Sequence, residues 1–187
     1  SDVTGFKSGG FNEQAGSLAS ASTSFDPEQA GSFEIGMKAD LLDNTLRLNV
    51  AAFWVEYSDL QVDAVIPIVG GVGQESIVNN AGEVTSSGIE ADFMWLATDQ
   101  LTIDGTLGLL NAEYDEFECD RDAIPATPDS DCTDFDVKRS PEMTASLGAT
   151  YNVSLSNLGG SLDINTNATY TDAFYNAFIN SASSDHD

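Results

Sequence analysis

Two neighbouring stretches decide the fold of this chain: Phe33-Glu34-Ile35-Gly36-Met37-Lys38-Ala39-Asp40-Leu41 and, after a turn at Asp43-Asn44, Leu46-Arg47-Leu48-Asn49-Val50-Ala51-Ala52. In both, apolar side chains alternate with polar or small ones, which is the period of a strand with one apolar face. The same alternation returns over residues 89–95, 101–107, 143–153 and 162–170, and in part over 3–11. No segment has a convincing helical period. The pattern therefore predicts an all-β fold of about seven long antiparallel strands in up-and-down order.

Composition narrows the function. The chain has 187 residues, of which 31 are acidic and 6 are basic, and its formal net charge is −25. A chain this acidic repels phosphate backbones, so nucleic acid is excluded as a partner. The single histidine, His186, lies near the end of the sequence, and no nucleophile motif or carboxylate pair across a cleft accompanies it. We therefore expect no enzymatic activity, no catalytic residue, no cofactor and no metal site.

The links between the strands alternate in length. Short links lie at 43–44, 98–100 and 154–160, and long segments at about 12–31, 64–78 and 116–138. This alternation places every short turn at one end of the sheet and every long loop at the other, as in transmembrane β-barrels. The strands predicted from Leu46 to about Asp63 and from Ser76 to Ala97 also exceed the usual length of globular strands. Both observations favour an incomplete transmembrane barrel.

The two faces of such a barrel meet different surroundings, since the apolar face contacts lipid and the polar face lines a wet lumen. The side chains expected to face the lumen are Glu34, Lys38, Arg47, Asn49, Glu90, Asp92, Asp163 and Asn165. Aromatic residues are expected in two belts at the lipid–water interfaces. The belts comprise Phe33, Trp54, Tyr57, Tyr114, Tyr170 and Phe174 towards the long loops, and Trp95 and Tyr151 near the short turns. Alternation alone also fits a soluble β-sandwich, which stays open as an alternative.

Several segments, in their order along the chain, resemble the barrel of TonB-dependent outer-membrane receptors. They are Gly5-Phe6-Lys7-Ser8-Gly9-Gly10-Phe11-Asn12, Phe25–Glu28 with Phe33–Lys38, Leu46–Val62, Asn80–Glu83 with Ser87–Phe93, and Arg139–Glu142. The resemblance implies that residues 1–187 are part of one receptor β-barrel domain, with the plug domain and the final barrel strands absent from this sequence. Barrels of this type have about 22 strands around a plugged lumen, so seven strands are about a third of one.

The resemblance also implies a function. The chain would be a segment of an outer-membrane receptor of a Gram-negative bacterium that imports a scarce nutrient with energy from the TonB complex. The first expectation for the nutrient is an iron–siderophore complex, captured by the outer loops. The implied partners are this ligand, TonB through the missing plug region, and the lipid bilayer. The alternatives are a passive porin or adhesin-type barrel and a soluble carbohydrate-binding β-sandwich.

The charge of the chain bears on the choice of ligand. A net charge of −25 fits poorly with an anionic iron chelate. Vitamin and oligosaccharide ligands therefore stay open beside a siderophore complex. Haem is disfavoured because the long segments contain no histidine.

The long segment 116–138 holds both cysteines of the chain, Cys119 and Cys132. Because an outer loop faces an oxidising compartment, we expect a disulfide between them. The same region is dense in Asp and Glu, but the spacing does not match an EF-hand loop. We expect a solvated acidic loop there, with Ca²⁺ binding as the alternative.

Overall fold

The computed structural model describes residues 1–13, 15–68, 71–80, 82–119, 130–155, 159–176 and 185–186. The elements are β1 (Asp2–Lys7), β2 (Gly10–Phe11), α1 (Leu18–Ala21), β3 (Ser24–Phe25), β4 (Glu28–Leu41), β5 (Leu46–Ser58), β6 (Gln61–Pro67), β7 (Gln74–Asn80), β8 (Gly82–Thr98), β9 (Leu101–Cys119), β10 (Ser130–Asp131), β11 (Met143–Leu155), β12 (Gly160–Thr171), β13 (Phe174–Tyr175) and β14 (Asp185–His186). The described part of the chain contains no helix with the length and hydropathy needed to cross a membrane.

One antiparallel sheet dominates the fold. Its strands follow the order β1-β4-β5-β8-β9-β11-β12, and the short strand β10 joins β9 at one end. Each strand of this path pairs with the next one along it. The path does not close on itself, so β1 and β12 are its two edge strands. The prediction of about seven antiparallel strands in an incomplete barrel is confirmed, and the seven strands form one sheet rather than the two packed sheets of a sandwich.

The two short turns that lie wholly among the described residues form where the sequence places them; in the third predicted link, 154–160, residues 156–158 lie outside the described part. Between β4 and β5, Leu42, Asp43 and Asn44 all adopt positive φ, and the Thr45 N–H donates to the Leu42 carbonyl over 3.1 Å. Asn and Asp tolerate this left-handed region better than other non-glycine residues. At the β8–β9 turn, the Thr98 hydroxyl oxygen accepts hydrogen bonds from the backbone N–H groups of Gln100 and Leu101. Both turns lie at the same end of the sheet.

The prediction of one strand from Leu46 to about Asp63 is wrong in its length. Asp59 adopts a φ of 55°, which ends β5 at Ser58 and lets the chain restart as β6. β6 then pairs with β7 as a separate hairpin, from Gln61 opposite Asn80 to Pro67 opposite Gln74. The segment predicted as a long loop at 64–78 is therefore mostly hairpin. In the same way, the segment 12–31 contains α1, β3 and the start of β4.

Glycines let the strands of the main sheet approach closely. Gly88 in β8 pairs with Phe53 of β5, and a Cβ added to Gly88 would lie 2.6 Å from the ring of Phe53 and still closer to the Leu109 carbonyl oxygen. Gly105 has the same relation to the Phe93 ring, also at 2.6 Å. Because the two glycines have no side chain, aromatic rings of the adjacent strand pack directly over their backbone.

Replacing Gly88 by alanine in the full-length receptor should therefore destabilise the barrel. We expect a loss of about 1–3 kcal/mol, the usual cost of overpacking, because one of the crowding atoms is backbone and cannot move aside. The measurement is urea unfolding in lipid vesicles followed by tryptophan fluorescence. Gly31→Ala in β4 is the matched control, since nothing lies within 4 Å of its added Cβ. Equal midpoints for the two variants would contradict this account.

Candidate functional site

One face of the main sheet carries a continuous polar surface. In an antiparallel pair, residues directly opposite each other point to the same face. Lys38 lies opposite Asn49, Asn49 opposite Asp92, Asp92 opposite Thr106, and Thr106 opposite Ser146. The same row parity holds for all eight side chains predicted to face the lumen, which are Glu34, Lys38, Arg47, Asn49, Glu90, Asp92, Asp163 and Asn165. The structure therefore brings the eight residues to one face, although their exposure to a lumen stays a prediction.

Hydrogen bonds run across this polar face from strand to strand. Asn49 Nδ2 donates to Asp92 over 2.8 Å, Arg47 Nε pairs with Asp40 over 2.9 Å, and Asn152 Nδ2 donates to Asp163 over 2.6 Å. Further bonds join Thr106 with Ser146 and Thr150 with Asn165. A groove follows the face, and Glu34, Lys38, Asn49, Glu90 and Asp92 contribute to its lining. This surface is built to meet water or a polar ligand.

The opposite face is apolar and exposed. Its large exposed side chains include Ile35, Met37, Ile89, Leu107, Leu109, Leu147 and Ile164. A contiguous apolar surface of this size marks contact with a membrane or a partner. Near its outer end, Phe33 lies opposite Trp54, and near the short turns Trp95 and Tyr151 are also exposed. These four rings are placed where the two belts are expected. Belt membership stays a prediction for them and for Tyr170 and Phe174.

Tyr114 corrects the belt prediction. It is only 3% exposed and stacks on Phe117, with ring centroids 4.3 Å apart and planes 12° from parallel. Val62, Val84 and Cys132 complete this buried cluster, and its partly buried neighbours are Tyr57, Leu60, Phe135 and Val137. These nine residues form the aromatic cluster, which lies at the long-loop end of the sheet. Tyr57 therefore also packs against other residues of the chain.

A β-bulge brings Phe117 beside Tyr114, which itself keeps the row parity of Thr106 along β9 and so points away from the apolar face. Val84 pairs with Tyr114 and Glu83 with Glu116, so Asp115 has no direct partner in β8. The extra residue brings Tyr114 and Phe117 to the same face although they are three positions apart. Thr85 then donates to the Asp115 carboxylate over 2.6 Å on the other side. Strict alternation contains no signal for such an extra residue.

Cys132 is disulfide-bonded and belongs to the aromatic cluster. Its backbone N–H donates to the Phe117 carbonyl over 2.8 Å, and Ser130 lies opposite Cys119 in the β9–β10 pairing. The backbone thus returns Cys132 to the end of β9, where Cys119 lies. The pairing of Cys119 with Cys132 stays our proposal, because the side chain of Cys119 lies outside the described ones.

The acidic segment falls partly outside the described residues, at 120–129. In the described part, Asp131 accepts a hydrogen bond from the Thr133 N–H over 3.0 Å, and hydrogen bonds from Thr133 lower the pKa of Asp131. No group of three potential metal ligands comes together among the described side chains. Asp131 thus bonds to its own turn, and the solvated acidic loop stays a prediction.

A second set of contacts joins the outer segments, and no pattern in the sequence predicts it. Gln61 donates from its side chain to the Ser8 and Asp26 carbonyls, both over 3.1 Å, and Asn80 exchanges hydrogen bonds with the backbone of Asp26. These bonds tie the β6–β7 hairpin to the segment that precedes β4. Only the frequency of Asn, Ser and Gln in these segments hinted at such bonding, and it did not reveal the partners.

A single antiparallel sheet with one polar and one apolar face, short turns at one end and folded loops at the other, defines a segment of an outer-membrane type of β-barrel. The family model of the β-barrel of TonB-dependent receptors matches residues 4–185. The chain belongs to this family. This membership confirms the resemblance found in the sequence and favours a receptor over a porin, an adhesin or a soluble sandwich.

Curated relatives and solved structures agree with this assignment. The metal-pseudopaline receptor CntO of Pseudomonas aeruginosa is 29% identical over 113 residues, which are 60% of this chain and 14% of CntO. The probable TonB-dependent siderophore receptor PiuA of Acinetobacter baumannii is 28% identical over 148 residues, 76% of this chain and 20% of PiuA.

Solved structures share the fold. The crystal structure of PiuA superposes with a TM-score of 0.60 at 27% identity, covering 82% of this chain and 20% of PiuA. The ferric yersiniabactin uptake receptor FyuA from Yersinia pestis shares the fold at a TM-score of 0.66 and 16% identity, covering 95% of this chain and 23% of FyuA. This chain spans less than a quarter of the length of each of these proteins.

The proposed disulfide can be tested by mass spectrometry of its peptides. A Cys119–Cys132 bond closes a loop of about 14 residues and should stabilise the segment by roughly 3 kcal/mol in the entropic model. Peptide mapping of the unreduced receptor should yield one cross-linked peptide that gains the mass of two hydrogens on reduction. Two separate thiol peptides, alkylated without reductant, would refute the pairing.

Tyr114 gives a pH-dependent prediction. It lies beyond the 9–11 residues that a strand needs to cross the membrane, and burial raises the pKa of Tyr114 to about 12, with the backbone of Lys138 acting in the opposite direction. The buried neutral phenol therefore contributes stability that is fully present below pH 10, its ordinary pKa, and is lost as the pH rises through 12.

The measurement is the near-ultraviolet absorbance of tyrosinate during alkaline titration of the full-length receptor. When the titration curve of Tyr114→Phe is subtracted from that of the wild type, the absorbance difference should show one step near the raised pKa. The matched control is Tyr151→Phe, which removes the hydroxyl of an exposed tyrosine and should keep that step. A wild-type titration without the late step would show that Tyr114 is open to solvent.

Proposed function

We propose that this chain forms part of the wall and outer loops of a receptor that imports a metal–siderophore complex across the outer membrane of a Gram-negative bacterium, with energy from TonB. The observation that carries the proposal is the continuous polar face of the sheet, which leads to folded loops at one end only. Such a face suits a lumen through which a polar ligand moves. The names of CntO and PiuA, which state a metallophore and a siderophore, support this ligand class.

Charge narrows the ligand further. The polar face carries the acids Glu34, Asp40, Glu90, Asp92, Asp104 and Asp163. On the same face Lys7 lies opposite Glu28, and the other bases of the described strands are Lys38 and Arg47, of which Arg47 is already paired with Asp40. Because a surface of one sign concentrates ligands of the opposite sign, a neutral or cationic metal chelate suits this wall better than an anionic one.

The plug domain, through which we propose the contact with TonB, belongs to the rest of the receptor.

Uptake of radiolabelled ligands tests the proposal. Cells that lack the gene are complemented with the full-length receptor and offered ferric complexes of neutral, cationic and anionic siderophores, with cobalamin and an oligosaccharide as other ligand classes. We expect uptake of a neutral or cationic ferric complex that stops when TonB is deleted. Uptake that survives the loss of TonB would instead indicate a passive pore, and uptake of cobalamin or sugar alone would refute the siderophore assignment.

Two substitutions examine the role of charge in the same assay. Glu90→Gln with Asp92→Asn removes two negative charges from the polar face and should raise uptake of an anionic complex relative to a cationic one. The control is Glu113→Gln, which removes a charge from the opposite face, where Glu113 lies opposite Thr85. An unchanged preference in the double variant would show that this wall does not select by charge.

A further inference from the structure

Glu75, the second residue of β7, is a buried acid on an outer hairpin. It is only 5% exposed, and its carboxylate meets a segment 55 to 58 residues earlier in the chain. The Ser17 N–H donates to one oxygen over 2.8 Å, and the hydroxyls of Ser17 and Ser20 donate to the other over 3.0 and 2.6 Å. Three hydrogen bonds thus join one carboxylate to the single turn of α1.

Asn12 makes a second junction between the same two segments. It is 7% exposed, and its side-chain amide pairs with the backbone of Val78 in both directions. Nδ2 donates to the Val78 carbonyl over 3.1 Å, and the Val78 N–H donates to Oδ1 over 2.7 Å. The amide thereby takes the place that a neighbouring strand would occupy beside β7.

The chemistry of Glu75 sets it apart from an ordinary buried side chain. A carboxylate is costly to bury unless hydrogen bonds satisfy it, and bonds to an ionised acceptor are about twice as strong as neutral ones. Here the Ser20 hydroxyl lowers the pKa of Glu75 most, the hydroxyl of Ser17 and the backbone of Ser17 and Gly16 lower it further, and burial opposes them. None of these groups is charged, so each donor to this carboxylate in the described part of the chain is neutral.

We propose that Glu75 is a carboxylate latch that fixes the segment 15–23 to the β6–β7 hairpin, so that these two outer loops move as one body. Asn12 supports the latch three residues farther along β7, at Val78. Neither bond set depends on a ligand, so the proposal is independent of what the receptor imports. A latch of this kind makes a displacement of one loop a displacement of both.

The pH dependence follows from the lowered pKa. A carboxylate whose folded pKa is below its ordinary value contributes stability above that ordinary value, and this stability is lost as the pH falls through the folded pKa. The latch is therefore closed at neutral pH and opens only in acid, when the carboxylate gains a proton and the bonds lose their ionic component.

Spin-label distances in the full-length receptor, reconstituted in lipid vesicles, test the latch. Nitroxides attached at Leu18→Cys and Val72→Cys report the two segments, since Leu18 is 85% and Val72 100% exposed. At neutral pH we expect one narrow distance distribution. Glu75→Ala should broaden this distance distribution, and Glu75→Gln should broaden it less. In the receptor that keeps Glu75, acid should broaden the distribution reversibly. Glu13→Gln, an exposed acid of the same outer segment, is the matched control and should leave it unchanged.

Amide hydrogen exchange supplies an independent readout at the same residues. Loss of bonds to a charged acceptor should speed exchange of the Ser17 amide about tenfold or more in Glu75→Ala. Ser20→Ala removes the shortest of the three hydrogen bonds by changing its donor instead of the acceptor Glu75. It should speed exchange of the Ser17 amide by a smaller factor. If Glu75→Ala fails to assemble, Ser20→Ala and the acid titration decide. A narrow distance distribution and slow exchange in the variants that assemble, or in acid, would overturn the proposal.

Discussion

The backbone ladder of the main sheet is the constraint on which everything else depends. In the interior of a membrane no water can satisfy an N–H or a carbonyl group, so each strand must be paired on both sides. The ladder runs unbroken from β1 to β12, and β5 pairs along most of its length with both β4 and β8. This continuity fixes which residues are opposite one another, and therefore which side chains share a face.

A fixed register turns a local alternation into two surfaces. Several polar residues of one strand lie beside a polar residue of the next, which is why Asn49 bonds to Asp92 and Asn152 bonds to Asp163. A slip by one residue would send Lys38 and Asp92 to the apolar side, so both surfaces oppose it. The short turns and the close contacts of Gly88 and Gly105 hold the register at intermediate points.

Sequence reasoning succeeds where the period of two controls the structure. The strand order, the short turns and the common face of Glu34, Glu90 and Asn165 follow from alternation and from turn residues alone. It fails where one residue breaks the period. The positive φ of Asp59 and the bulge at Asp115 each do so, and neither has a distinctive sequence signal. Contacts such as Ser20 with Glu75 join segments distant in sequence, so no local pattern contains them.

The β6–β7 hairpin connects the outer segments of the chain, which the alternating pattern does not predict. Its buried residues Val62, Glu75 and Ile77 share one face, because Val62 lies opposite Asn79 and the side chains alternate along each strand. At its base, Val62 joins the aromatic cluster that holds Tyr114 and Cys132. Nearer its tip, Glu75 binds Ser17 and Ser20. One hairpin thus contacts both the segment that follows β2 and the segment that follows β9, so a displacement of either segment acts on the same element.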